Sequence, residues 1–394
     1  MKILILTGIF PPEIGGPATQ LGYLIPDLMK RGFEISVLTF GDSKGSSDLP
    51  REVGTPAYPV KKISKKIPQP WRNILFILKA LKMSFGFQAI YVWDLYTAGF
   101  SGFLIKKIFP KKKFIVRFAG DSAWERARGE EKISENLAQF IEKKYGPSIE
   151  FRKGLRKKIM TSADAVVAVS YFLEGMAEKI GVKKERLKMI YNSVDFLFQK
   201  NPVQPVGRLH PDFTDKNFNL ITSSRLVPWK GQKVLIEIMP DLIEKHKNIH
   251  LWIIGDGPEE KNLKFKVKSL KLENNIFFLG RISHQELFKY MRAGDIFLLN
   301  TDYEGLSHQI LEAMHLGIPV ITTNVCSNPE LIENEKTGFL VKYNNKEEFK
   351  KAIFRLIENP ELKEFFIKEA KNNLAKFSWD NLVRETALIL REFK

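Results

Sequence analysis

In TDYEGLSHQILEAMHLGIPVI, residues 301–321, the carboxylates Glu304 and Glu312 are separated by seven residues across a junction of loop and helix. The stretch LSHQILEAMHLG has helical propensity, with Ile310, Leu311 and Met314 available to pack, so Glu312 is expected about two turns into a helix. Glu304 then meets a ligand from the loop and Glu312 from the helix flank. Gly305 is expected to let the loop turn sharply beside Glu304. Two acceptor-only groups at different depths suit the hydroxyls of a polyol, each accepting one or two O–H bonds.

The segment SSRLVPWKGQKVLIEIM puts Arg225 and Lys230 between the end of an apolar run and the start of a helical pattern. A guanidinium fork and an ammonium converging there suit the oxygens of a diphosphate whose charge grows as it leaves. On spacing alone a solvated basic surface fits as well. In TGIFPPEIGGPATQLG two prolines stiffen the loop, and Gly15 and Gly16 precede a helix whose free N–H groups can meet an anion. That stretch is neither a P-loop nor a Gly-x-Gly-x-x-Gly fingerprint, and a purely structural turn explains it equally well. The turn at Gly255, in IGDGPEE, is open to the same two explanations. Asp121, in RFAGDSAWER, either orients an acceptor or sugar, acts as a base, or makes a turn at a strand end. His308 reads as a helix-flank residue rather than a zinc ligand, and no metal set is expected, since no Asp-x-Asp pair occurs in the chain.

Strands and helices must position these groups. KILILTG, EISVLTF, AIYVWD, KFIVRFAG, AVVAVS and KMIYNSV each read as a buried strand followed by a helical segment. NLITSSR, IHLWIIGDG, NIFFLG, DIFLLN and PVITT repeat the pattern. Alternation of this kind predicts α/β architecture with parallel sheets covered on both faces, and two series predict two doubly wound, Rossmann-like domains. The expected domains are 1–200 and 201–375, joined by a polar linker from about Phe198 to Asn217, with a final helix, 376–394, that extends the second domain or crosses back to the first. Ligands of open α/β sheets bind beyond the carboxyl ends of strands, where the chemistry-bearing stretches fall, so a cleft between two domains is expected there.

Length and composition limit the class. A chain of 394 residues with 44% apolar content builds real cores. MKILILTGIF runs into PPEIGGP without a small-residue cleavage pattern, so it reads as a first strand rather than a signal peptide. No stretch approaches the roughly 18 apolar residues of a spanning helix. A single cysteine, Cys326, fits a reducing cytoplasm. The formal charge of +17 is uneven: residues 1–200 carry 34 Lys and Arg against 19 Asp and Glu, while residues 201–394 carry 28 against 26. The basic first half calls for an anionic membrane surface, a nucleic acid or an acidic acceptor, unless the charge is merely solvated. KKISKKIPQPWRNILFILKALKMSF, residues 61–85, and FLIKKIFPKKKF, residues 103–114, mix basic clusters with Trp71, Ile74, Leu75, Phe76, Leu78 and Leu81. Packing on a sheet accounts for many of the apolar residues but not for the lysines. Peripheral association with an anionic membrane, giving access to a lipid-linked or membrane-proximal acceptor, is expected, and nucleic acid is not.

FPPEIGG, YNSVD, SSRLVPWKG and YEGLSHQILEAMHLGIPVITTNVCSNPELIENEKTGFLV, in this order, closely resemble the retaining GT-B glycosyltransferases, in particular glycosyltransferase family 4. The resemblance covers nearly the whole chain. It implies transfer of a hexose or related sugar from a UDP- or GDP-linked donor to an acceptor hydroxyl, in cell-envelope glycolipid or polysaccharide synthesis, with no other cofactor. With no Asp-x-Asp pair present, the diphosphate charge falls to Arg225, Lys230 and backbone N–H groups without a metal ion. It further implies that Glu312 binds the donor ribose, that Glu304 contacts the transferred sugar, and that Arg225 and Lys230 hold the diphosphate with help from Gly16. Backbone N–H groups after Gly305, at Leu306 and Ser307, would meet the phosphates and base. Two departures bear on the site: Ser327 and Asn328 stand where many relatives carry glycines, and RFAGD stands where many end a strand in histidine. The competing readings are a nucleotide-sugar epimerase of the same architecture and a non-catalytic polyanion-binding scaffold.

Overall fold

The computed structural model describes residues 1–13, 15–42, 58–130, 132–194 and 209–392. Most of the expected linker lies outside the described residues. The chain forms two compact units, one of Met1–Tyr191 with Asp380–Lys394 and the other of Asn192–Trp379. The first unit thus ends just beyond its last paired strand, earlier than the 200/201 boundary, and the segment from Asp380 onward belongs to it.

The first unit holds a seven-stranded sheet of order β3-β2-β1-β4-β5-β6-β7. Its strands are β1 (Lys2–Thr7), β2 (Glu34–Phe40), β3 (Val60–Ile63), β4 (Ala89–Val92), β5 (Lys113–Phe118), β6 (Ala165–Ala168) and β7 (Leu187–Met189). All neighbours run parallel, with Ile5 opposite both Val37 and Tyr91. Parallel strands need helical crossovers, and these cover the faces, so the central strands are apolar throughout. Residues 3–6 of β1 and 89–92 of β4 are at most 1% exposed.

The second unit repeats the plan with six strands of order β10-β9-β8-β11-β12-β13. They are β8 (Phe218–Ser223), β9 (Ile249–Ile254), β10 (Ile276–Gly280), β11 (Ile296–Leu299), β12 (Val320–Thr323) and β13 (Phe339–Val341). Leu220, Leu251 and Ile253 pack with Phe349, Ile353 and Phe366 of the covering helices. On β9, Trp252 stacks on Phe277 at 4.2 Å and donates 2.9 Å from Nε1 to Asn219 Oδ1, so its polar atom is satisfied inside the core.

In each sheet the strand order reverses once, between β1 and β4 and between β8 and β11. At such a switch point the loops beyond the strands diverge and leave a crevice. That places the β8 loop, with Arg225 and Lys230, next to the β11 loop, with Glu304, although the two loops are about 75 residues apart in sequence.

One expectation needs correction. Sheet packing was expected to take up many of the apolar residues between 61 and 85, but on helix α2 (Trp71–Ser84) only Phe76, Ala80 and Ser84 are buried. Trp71, Ile74, Leu75 and Leu78 face outward.

Candidate active site at the β8/β11 switch point

The β8 loop leaves the sheet at Ser223 and passes Arg225 before a single 3-10 turn, Pro228–Lys230. Gly231 ends that turn with φ +52, and a Cβ there would lie 2.4 Å from Asn300 Nδ2, so only glycine fits. Asn300, at the end of β11, donates 2.9 Å to the Gly231 carbonyl and 2.8 Å to Asn344 Oδ1. Gln232 donates 2.7 Å to Ser224 Oγ and 3.1 Å to the Arg225 carbonyl. The β11 loop is tied in turn, with Asp302 N–H donating 2.8 Å to the Trp229 carbonyl.

Lys230 Nζ forms an ion pair with Glu304 Oε1 across these two loops, their side chains only 14% and 11% exposed. Ser327 Oγ donates 3.2 Å to the Glu304 carbonyl, so this serine fixes the loop carrying the carboxylate. Asn328, its neighbour, donates 3.1 Å to Thr322 Oγ1 and to the Thr323 carbonyl. Arg225 is exposed at the rim of the same loop. Gly255, after β9, has φ +129, and a Cβ there would meet the Ser224 carbonyl at 2.0 Å, so close backbone packing requires this glycine.

Leu306 and Ser307 are buried and lead into the helix His308–Leu316. Ser307 caps it, its Oγ accepting 3.3 Å from Ile310 N–H. Gly305 does not adopt a left-handed backbone, whereas Gly231, Gly255 and Cys326 of the neighbouring loops do. Glu312 lies within the helix at 2% exposure. Its Oε1 is 3.1 Å from Nε2 of His284, and its Oε2 is buried with no hydrogen-bond partner. Burial works to lower the His284 pKa, but the charge and hydrogen bond of Glu312 outweigh it and the net shift is upward. An acceptor buried without a donor costs roughly 1–3 kcal/mol, which a ligand hydroxyl can offset. Sequence reasoning missed His284, Asn300 and Asn344, whose roles are side-chain contacts across long separations.

Cys326, with φ +52, lies 3.6 Å from the Asp302 carbonyl, and burial pushes its thiol up to about 12, so it stays protonated at neutral pH. A cavity of about 580 Å³ bounded by Lys216, Asn248 and Asp295 lies at the amino ends of β8, β9 and β11. It is at the wrong end of the sheet for the site, and its walls contain no buried unpartnered group. Among the described residues no cluster of three or more His, Cys, Asp and Glu could hold a metal ion.

The remaining predicted residues, Gly15, Gly16 and Asp121, belong to the first unit. Gly15 and Gly16 open helix α1 (Gly16–Lys30), with no side-chain cap. Asp121 is fully buried, accepts at Oδ1 from Ala123 N–H (3.0 Å) and Trp124 N–H (3.2 Å), and pairs through Oδ2 with Arg156. Its oxygens cap a helix and pair with a buried guanidinium, which are contacts of the turn-making kind. The carboxyl at the first sheet's own switch point is Asp94, just beyond β4, which sequence reasoning did not single out. It accepts from Tyr96 N–H (3.0 Å) and Ala98 N–H (3.3 Å).

Over its full length the chain matches the crystal structure of Anabaena HepE in complex with UDP and glucose, with a TM-score of 0.77, 21% identity and 100% coverage of both chains. That likeness is one of fold, and the fold is that of the GT-B glycosyltransferases. The profile described as Glycosyltransferase Family 4 matches residues 14–196, and the one described as Glycosyl transferases group 1 matches residues 210–373. The chain belongs to glycosyltransferase family 4. An uncharacterized glycosyltransferase of Methanocaldococcus jannaschii is 28% identical over 402 residues, 98% of this chain and 97% of its own length. A GDP-mannose-dependent monoacylated alpha-(1-6)-phosphatidylinositol monomannoside mannosyltransferase of Corynebacterium glutamicum is 32% identical over 155 residues, 38% of this chain and 40% of its own.

Asp94 carries a pH prediction. Burial raises its pKa from 3.8 to about 6, against the opposing pull of the N–H groups of Tyr96, Ala98 and Gly8. The folded state therefore holds this proton more tightly than the unfolded chain, and the contribution to stability, complete below the unfolded pKa, is lost as pH rises through about 6. Asp94→Asn keeps an acceptor for the amides of Tyr96 and Ala98 and removes the charge. In denaturant titrations it should gain up to about 3 kcal/mol over wild type near neutral pH, and the gain should vanish near pH 4. A gain independent of pH would assign the effect to something other than this carboxyl.

Proposed function

We propose that the protein transfers a hexose or related sugar from a UDP- or GDP-linked donor to an acceptor hydroxyl, with retention at the anomeric carbon and without a metal ion, in building an envelope glycolipid or polysaccharide. The observation that carries the donor assignment is the unpartnered Oε2 of Glu312, buried next to His284 in the helix that follows the Lys230/Glu304 pair. A ribose hydroxyl donating to that oxygen fills its missing bond. The fold neighbour HepE binds UDP and glucose, and the Corynebacterium relative is named for GDP-mannose, which supports a nucleotide-sugar donor in either base form.

In the transfer the bond between the anomeric carbon and the diphosphate oxygen breaks, and the diphosphate keeps the electron pair. The acceptor oxygen bonds the same carbon, and its proton passes to an oxygen of the departing diphosphate. Lys230 and Arg225 meet the charge that develops on the leaving group, and backbone N–H groups at Leu306 and Ser307 add to them. Glu304 holds Lys230 in place before the donor arrives and accepts from a hydroxyl of the transferred sugar.

Lys230→Ala and Arg225→Ala should each lower kcat/KM by roughly 10²-fold, on the scale of losing one preorganised donor of charge stabilisation. Activity should survive EDTA, and a strict requirement for Mg²⁺ or Mn²⁺ would assign charge neutralisation to a cation instead. Proton NMR of the donor incubated alone separates transfer from epimerisation: an epimerase inverts a sugar carbon and leaves the nucleotide-linked sugar at unchanged mass, whereas a transferase without acceptor leaves the donor intact or releases only free sugar and nucleoside diphosphate by hydrolysis.

His284→Ala should raise the donor KM with little change in kcat, and His284→Gln, which can still donate to Glu312 Oε1, should restore most of the loss. Equal effects of both variants would leave the Glu312 contact without a role in donor binding.

A further inference from the structure

Helix α2 is apolar on two sides. Phe76, Ala80 and Ser84 face the sheet, while Trp71 (65% exposed), Ile74, Leu75, Leu78 (58%) and Phe85 (72%) form a second stripe facing solvent. The spacing 71, 74, 75, 78, 85 falls within an arc of about 100° on a helix, so these are neighbours on one face. Helix α3 (Thr97–Ile108) packs alongside and extends the stripe through Ile108, 55% exposed, and Phe109, whose ring meets Phe85 at 5.0 Å. A contiguous outward patch of this kind marks a surface that another apolar phase covers.

The charges around the patch identify that phase. Between residues 58 and 113 the only carboxylate is Asp94, which is half-buried with its Oδ2 closed off from solvent. Lys66, Lys82, Lys107 and Lys111 are exposed around the stripe and have no ion pair among the described residues. Two carboxylates from outside that window, Glu13 and Asp164, are taken up by Lys65 and Lys106. An apolar ridge rimmed by further, unpaired lysines fits a bilayer with anionic headgroups: the aromatic and aliphatic side chains enter the acyl boundary while the ammonium groups extend to the phosphates. No helix among the described residues is long and apolar enough to cross a membrane, so contact through this face is peripheral. We propose that α2 and the carboxyl end of α3 form a membrane-docking face for anionic lipid. Docking is a property of the surface, independent of the reaction proposed above.

The test is co-sedimentation of the full chain with phosphatidylcholine vesicles, with and without phosphatidylglycerol, at low and high salt. Two variants accompany the wild type: Trp71→Ser with Leu78→Ser and Phe85→Ser, and Lys66→Ser with Lys82→Ser, Lys107→Ser and Lys111→Ser. All of these side chains are exposed, and unchanged melting curves confirm that the variants fold. Wild type should bind only the phosphatidylglycerol vesicles and be released by salt, and each variant should bind about tenfold more weakly or less. Brominated lipids should quench wild-type tryptophan fluorescence more than that of Trp71→Phe. Equal binding to neutral vesicles, no binding at all, or wild-type binding by the serine variant of the apolar stripe would overturn the proposal. Concentration-dependent self-association that the same variant abolishes, without vesicle binding, would assign the face to a second copy of the chain.

Discussion

The ion pair between Lys230 and Glu304 is the constraint around which the second unit's site is organised. It joins two loops far apart in sequence, and it exists because β8 and β11 are neighbours at the point where strand order reverses. Two charges with little exposure lose hydration that their attraction returns only in good geometry, and removing one partner of such a pair typically costs about 3–5 kcal/mol. The surrounding contacts supply that geometry: Asn300 bonded to the Gly231 carbonyl, Asp302 to Trp229, and Ser327 to Glu304. The left-handed backbone at Gly231 leaves room for Asn300, so the loop that carries the ammonium and the strand end that leads to the carboxylate are set by one contact.

Glu304 and Glu312 differ in what surrounds them. Glu304 is neutralised by an ammonium, whereas Glu312 has only the partial support of His284, whose own protonation it favours. One carboxylate therefore serves to fix a cation in place, and the other keeps acceptor capacity in reserve. Asp121 and Asp94 in the first unit show a similar contrast: Asp121 is held by a buried guanidinium and a helix start, while burial pushes Asp94 toward its neutral form.

Much of this was legible in the sequence because it follows from local pattern. Runs such as KILILTG and DIFLLN announced buried parallel strands, and the loops after them held Arg225, Lys230 and Glu304, which the topology then brought to one switch point. What escaped was set by partners. His284 sits 28 residues before Glu312, at the start of a different helix, and nothing in RISHQELF marks it as the carboxylate's neighbour. Asp121 carried the same letter whatever its partners, and its pairing with Arg156, on a helix 35 positions away, could not be read from RFAGD. The stripe on α2 was legible in part: its lysines and apolar residues pointed to a membrane surface, but which of those apolar residues leave the core shows only once Phe76, Ala80 and Ser84 are seen to take the sheet-facing side.

The central claim is that Glu312 receives a ribose hydroxyl of the donor nucleotide. Its most direct test is calorimetric binding of UDP and GDP, and of their 2′- and 3′-deoxy analogues, to wild type and to Glu312→Ala. A hydrogen bond to an ionised carboxylate contributes about 1.5–3 kcal/mol, so loss of the contacted hydroxyl should weaken wild-type binding roughly tenfold to a hundredfold and leave the alanine variant almost unaffected. An equal penalty in both proteins would place the ribose away from Glu312 and contradict the account.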